Sequence, residues 1–250
     1  MSQLIEKDFL DIKEELKDGR ISPESIRFYL GVFMFFSLIM IGVSYMTVNA
    51  SNTVIGWENL SRFWQTVFWL QGFLFIFQVI LIFFIRGKSN LTQIILNGSY
   101  VLYTYKMAID PLIMTLMFAK NDGVYEQYAP LALGIIIFGF ALHFYLILRT
   151  FSDMNPKKKK KQKKKRRKNT LPYVFVPVLF LLVSVTGYIF KHDLLGDGDT
   201  LFLLGVGLVL LSAILIGAVE FVIGAYCLIR FPSFRVNPPS SKKNARSNKA

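Results

Sequence analysis

Four ionisable side chains, Lys106, Asp110, His143 and Glu220, stand inside long apolar stretches of this 250-residue sequence. A charge in hydrocarbon is costly, so such residues either pair with one another or line a path for protons, ions or solutes. Lys106 and Asp110 are four residues apart, which on a helix places them on one face and lets each neutralise the other. Ser99 and Tyr103 continue that face, and Gln93, Asn97, Tyr100 and Thr104 form a neighbouring polar strip. A helix this polar must turn inward or line water. Pro111 removes a backbone donor directly after Asp110 and frees the carbonyl of Met107, so a kink is expected beside the charges. Broken helices with charges at mid-bilayer are a feature of transporter sites; the structural alternative is a salt-bridged pair that locks a bundle.

Glu220 lies between Gly217 and Gly224, and Ala213 with Gly217 makes a small-xxx-small step. Small residues let helix backbones approach closely. Ala213, Gly217 and Gly224 are therefore expected at helix contacts, with Glu220 pointing into one of them and Lys106 and His143 as its expected partners. His143, one turn after Gly139, reads as a hydrogen-bonded bundle histidine or a proton carrier. Gln71 and Gln78, seven apart, would complete a polar interior.

Chemistry beyond charge pairing finds little support. No catalytic signature, nucleotide loop or metal-ligand cluster is present, and an intramembrane lipid-modifying enzyme would have only His143 and Glu220 as acid and base. No catalytic residue, metal or cofactor is expected. Asp193, Asp197 and Asp199 lie among glycines, but their spacing is not that of an EF-hand loop, and Asp199 or Thr200 serving as a helix N-cap accounts for the pattern. The lone Cys227 excludes an intramolecular disulfide or a Cys-based zinc site and reads as a packing residue.

The elements that must position these residues follow from composition. With 53% apolar residues, 24 Phe and a mean hydropathy of +0.44, the chain is too hydrophobic to bury its apolar surface in one soluble core. Runs long enough to cross about 30 Å of hydrocarbon occur at 28–48, 63–85, 91–118, 131–148, 171–190 and 201–229. They are apolar all round, which suits helices rather than barrel strands. The expected fold is an all-α integral membrane protein, a bundle of about six transmembrane helices. Its organisation reads as an amphipathic cytosolic helix (1–21), four spans (22–148), a basic disordered cytosolic loop (149–170), two spans (171–230) and a basic disordered cytosolic tail (231–250). Ser22, Pro23 and Glu24 suit the start of the first span as cap, first-turn proline and first-turn acid.

Orientation follows from the basic residues, which short loops retain on the cytosolic side. Of 29 Lys and Arg, 25 lie in the segments that six spans would place on the N-terminal side, against Arg62, Lys120 and Lys191 on the other. Both termini are thus expected in the cytosol. Trp57, Trp64, Tyr125 and Tyr128 fit interfacial anchors at the outer boundary, where Asn49 and Asn59 also begin glycosylation sequons.

Much of the +13 charge is concentrated in Lys157, Lys158, Lys159, Lys160, Lys161, Lys163, Lys164, Lys165, Arg166, Arg167 and Lys168. Such a juxtamembrane cluster is drawn to anionic head groups by about 1 kcal/mol per basic residue near the surface; the plainer reading is a topology signal alone. The cluster has no interleaved aromatics and is tethered to membrane at both ends, so no nucleic-acid partner is expected.

The N-terminal segment differs. Ile5, Phe9, Ile12 and Leu16 draw an apolar stripe at spacings of four, three and four, while six acids outnumber four bases on the rest. An acidic polar face points to a protein surface rather than anionic lipid, either the cytosolic ends of the bundle or a partner, with screening of the basic loop a further use.

Three function classes fit these features: a non-enzymatic accessory, scaffold or regulatory subunit of a membrane complex; a small secondary transporter or channel using Lys106, Asp110 and Glu220; and the lipid-modifying enzyme. The first is the expectation, with membrane lipids and a protein partner or self-association as its contacts, in the plasma membrane or otherwise the endoplasmic reticulum.

Overall fold

The computed structural model describes residues 5–49, 55–85, 89–154 and 198–235. Helices dominate: α1 (Leu10–Asp18), α2 (Pro23–Asn49), α3 (Arg62–Phe84), α4 (Asn90–Asn121), α5 (Tyr125–Asp153) and α6 (Asp199–Arg230), with 3-10 turns at Glu6–Phe9, Trp57–Asn59 and Pro232–Phe234. Five of them, α2 to α6, are long and apolar enough to cross a bilayer. Their lipid-length apolar faces make the chain an α-helical multi-pass membrane protein. The expected span at 171–190 and the basic cluster at 157–168 lie outside the described residues.

The spans run longer than their apolar cores, because the polar ends stay helical into the interface. The 131–148 run becomes a helix from Tyr125 to Asp153 that passes through Pro130, and the 91–118 run extends from Asn90 to Asn121. Ser89 starts α4 as a capping residue, its hydroxyl accepting from the Thr92 amide. Ser22 does the same for α2, accepting from the Ser25 amide at 3.4 Å. At α6 the sequence expectation fails: Gly198, not Asp199 or Thr200, occupies the N-cap, and no side chain caps it. Asp199 and Thr200 lie inside the first turn, where an acid still suits the helix dipole.

Helix α4 is the axis of the bundle. It packs against α2, α5 and α6, while α3 lies beside α2 and α5 beside α6. More than half of its most apolar 18-residue window is buried, against a third or less in the other spans. The expected inward turn of its polar face thus has a geometric counterpart: Gln93, Asn97, Tyr100, Tyr103, Thr104, Lys106 and Asp110 are all buried. The apolar outer faces of α2, α3 and α5, with Phe35, Phe73, Phe138 and Phe144 among their exposed residues, are what hydrocarbon would solvate.

Side chains that reach a neighbouring helix's carbonyl tie the spans together. Gln78 of α3 donates to Leu30 O of α2 at 2.8 Å, and Arg27 of α2 donates to Ile82 O of α3 at 2.9 Å. Tyr103 of α4 donates to Leu74 O of α3 at 2.6 Å. Such bonds between transmembrane helices contribute roughly 0.6–2 kcal/mol each. Close approach occurs at two glycines besides the expected Gly224. A Cβ at Gly207 would lie 2.5 Å from Leu112 Cδ2, and one at Gly139 would lie 2.4 Å from Leu211 Cδ2, so α6 meets α4 and α5 at these points. Gly224 admits Ile21 and Leu16 from the N-terminal segment. Gly217 is exposed, with no described atom within 4 Å of such a Cβ, and Ala213 is half-buried. Among the described residues their small-xxx-small step is therefore not a helix contact.

The N-terminal segment folds back onto the bundle end formed by α5 and α6. Its stripe is shorter than its spacing suggests: Ile5 precedes the 3-10 turn and is exposed, whereas Phe9, Ile12, Leu16 and Ile21 are buried. Phe9 is the anchor, with ring centroids 6.3 Å from Phe151, 6.2 Å from Tyr226 and 5.6 Å from Phe231. Around it, Glu6 accepts from the Ser233 hydroxyl and from Lys13 at 3.2 Å, and Lys13 lies over the Phe234 ring. These bonds hold the Glu6 carboxyl below its ordinary value of 4.5, the Ser233 bond being the larger cause and Lys13 the next.

A depressed carboxyl contributes stability that is complete above its unfolded value and is lost as pH falls through the folded one. Protection of the α1 amides in hydrogen exchange should therefore decline as pH drops below 4.5. Glu6→Gln should remove this component and leave the protection of α4 unchanged.

Candidate functional site

The buried charge cluster is built on α4 and completed by α2 and α3. Lys106 and Asp110 stand one helical turn apart, and Lys106 Nζ lies 2.6 Å from Asp110 Oδ2. Both are almost wholly enclosed, at 7% and 2% exposure. Ser37 of α2 bridges them: Lys106 Nζ donates to its Oγ at 3.0 Å, and that hydroxyl donates to Asp110 Oδ2 at 3.3 Å. Gln71 of α3 donates from Nε2 to Asp110 Oδ1 at 2.8 Å. Three helices thus meet on one carboxylate, with both of its oxygens engaged. An ion pair in low dielectric needs this kind of bonded surround to offset its desolvation.

Asp110 faces a pit of only about 10 Å³, lined by Ser44, Phe68 and Gln71 among others. That is close to the minimum for one water, about 10–15 Å³. Gln71 Oε1 is buried there without a partner among the described residues. The helix does not break beside the charges, since α4 continues through Pro111 and Thr115 Oγ donates to the Pro111 carbonyl at 2.9 Å. The expected effect of Pro111 therefore stops short of a break, and no discontinuous helix of the transporter kind forms beside the charges.

Glu220 belongs to a different place. Its expected partners Lys106 and His143 are not the ones it takes: Arg20, just after α1, lies 3.0 Å away through Nη2. Glu220 sits where α6 leaves the bundle interior, beside a cleft of about 450 Å³ that Arg20, Tyr29, Tyr100, Thr150 and Gly217 help to line. The ion pair thereby fastens the N-terminal segment to α6, on the same side as the Ile21 and Leu16 contacts with Gly224. Nothing in the sequence signals it, because 200 residues separate the partners.

His143 is spent locally. Its Nδ1 lies 2.7 Å from Leu215 O and its Nε2 lies 2.9 Å from the Tyr105 hydroxyl. A carbonyl only accepts, so in the neutral ring the proton resides on Nδ1 and Nε2 accepts from Tyr105. The histidine links α5, α6 and α4, and neither it nor Glu220 faces the other as an acid and base would. Among the described residues no group of three His, Cys, Asp or Glu could hold a metal ion. Cys227 is buried in the core beneath the N-terminal helix.

Two sites emerge, then: a buried bolt of Lys106, Asp110, Ser37 and Gln71 at the centre, and the Arg20–Glu220 clasp at one end. Comparison of the chain with protein-family models, with characterised proteins and with solved structures finds no match.

Removing one partner of a buried pair costs about 3–5 kcal/mol, because the other charge is left uncompensated. Lys106→Met should lower the free energy of unfolding obtained from a detergent titration by an amount of that order. The double variant Lys106→Met, Asp110→Asn should recover most of it, since Asn keeps an acceptor for Gln71 without the charge.

Proposed function

We propose that the chain is a non-enzymatic accessory, scaffold or regulatory subunit of a membrane complex. In this reading it is a six-span protein of the cell membrane with both termini in the cytosol, and its basic cluster at 157–168 rests on anionic head groups. The observation that carries the reading is the separation of the intramembrane charges. Lys106 and Asp110 close on each other with Ser37 and Gln71. Glu220 closes on Arg20. A secondary transporter needs its charges to converge on a void that holds a solute; the void at Asp110 is the size of one water. A lipid-modifying enzyme needs an acid and base aimed at one reacting atom, and His143 and Glu220 have other partners.

Supporting it further, the docked N-terminal helix leaves Asp11, Glu14 and Lys17 exposed at the bundle end. A mixed-charge surface of that kind suits specific contact with another protein more than with lipid.

Purification of the full chain in mild detergent should yield a complex with a membrane protein in fixed stoichiometry, read by native mass spectrometry. The same chain reconstituted in phosphatidylcholine vesicles should pass protons and alkali cations no faster than protein-free vesicles do. Flux that disappears in Lys106→Met and Asp110→Asn would show a transporter instead.

A further inference from the structure

One cavity among the described residues belongs to neither charged site. A groove of about 660 Å³ runs between α2 and α3, within the range of about 300–1,000 Å³ in which small-molecule sites fall. Its lining is almost entirely apolar, from Leu38, Ile41 and Tyr45 on one wall to Phe68, Trp69 and Phe75 on the other. Two glycines make the room. Gly42 and Gly72 both line it, and a Cβ at either would meet no described atom within 4 Å. Any larger residue at these positions would project into the space.

The groove has a built end and an open side. At the Asn49 end, Gly56 turns the chain at a φ of 65°, a conformation that glycine adopts without strain. The following 3-10 turn sets Trp57 over the opening, 6.1 Å from Tyr45 and 5.8 Å from Phe68 by ring centroids. Gln65 holds the turn by donating to the Trp57 carbonyl at 3.2 Å. A tryptophan and an asparagine at the end of two spans form the amphipathic boundary expected at head-group level. Along its length the groove opens onto the exposed apolar faces of α2 and α3, where Leu38 and Trp69 belong to both. It is thus continuous with the surface that hydrocarbon solvates.

We propose that this groove binds one acyl chain of a bilayer phospholipid, with the head group held at the Asn49–Trp57 end. Continuity with the lipid-facing surface selects the occupant, the apolar lining selects the chain, and the aromatic rim sets its depth. Ile41 and Phe68 form the groove's inner wall and also line the pit at Asp110, so a chain packed against them covers the buried ion pair on its membrane side.

The test uses the full chain in phosphatidylcholine vesicles that contain a small fraction of phosphatidylcholine with a diazirine in its acyl tail, followed by peptide-resolved mapping of the photoproducts. In the wild-type chain, adducts should concentrate on residues 38–45 and 68–75. Gly42→Leu and Gly72→Leu should each lower that labelling by about tenfold, whereas Gly134→Leu, on an exposed stretch of α5, should not. Circular dichroism melts of the same preparations identify a variant that has lost its fold, and the wild-type map stands without any variant. Equal labelling of the α5 residues Phe138 and Phe144 would overturn the proposal, since it would show annular lipid only. Cysteine cross-links that trap a protein helix between positions 42 and 72, whether from this chain or a partner, would overturn it as well.

Discussion

A bilayer interior offers no hydrogen bonds, so every polar group that enters it must find its partner in the protein. Helix α4 carries more such groups than any other span, and the arrangement of the bundle is largely the solution to that one problem. Its Lys106 and Asp110 neutralise each other along the helix, but two charges in low dielectric still need their remaining lone pairs and protons satisfied. Ser37 supplies this from α2 and Gln71 from α3. The need to keep these atoms within about 3 Å fixes the depth and rotation of three helices at once. Packing then follows, with α6 closing on α4 at Gly207 and on α5 at Gly139.

The same rule explains the bundle end. Glu220 lies on α6 near its exit, where the N-terminal segment brings Arg20 against it. That segment is held by Phe9 among aromatic rings and by Ile21 and Leu16 over Gly224. The clasp and the central bolt are thus independent devices, one joining three spans and the other joining an amphipathic helix to the bundle. Their separation is what favours a holding or regulatory role over a conducting one.

Much of this was legible in the residue order where the relevant interactions are local. The four-residue step from Lys106 to Asp110, the polar strip beside it and the run of Phe9, Ile12 and Leu16 are helical periodicities, and a periodicity can be read from one segment. Contacts between segments were not legible. Arg20 as the partner of Glu220, Ser37 as the bridge and Tyr105 as the partner of His143 depend on which helices become neighbours. Among the glycines, spacing singled out Gly217 and Gly224, whereas close contacts fall at Gly139, Gly207 and Gly224; a small residue permits close approach but does not say which face will have a neighbour. Ile5 failed for a local reason, since the chain enters a 3-10 turn before α1 begins and the stripe loses its register there.

The account stands on α4 crossing the membrane with its ion pair enclosed, because that crossing decides the side on which every later segment lies. Gln162→Cys, in the basic cluster, reports that side directly, and the wild-type chain, whose lone Cys227 is buried, serves as the blank. With a membrane-impermeant maleimide, the new thiol should stay unmodified on intact cells and react once the membrane is permeabilised. Modification on intact cells would contradict the account.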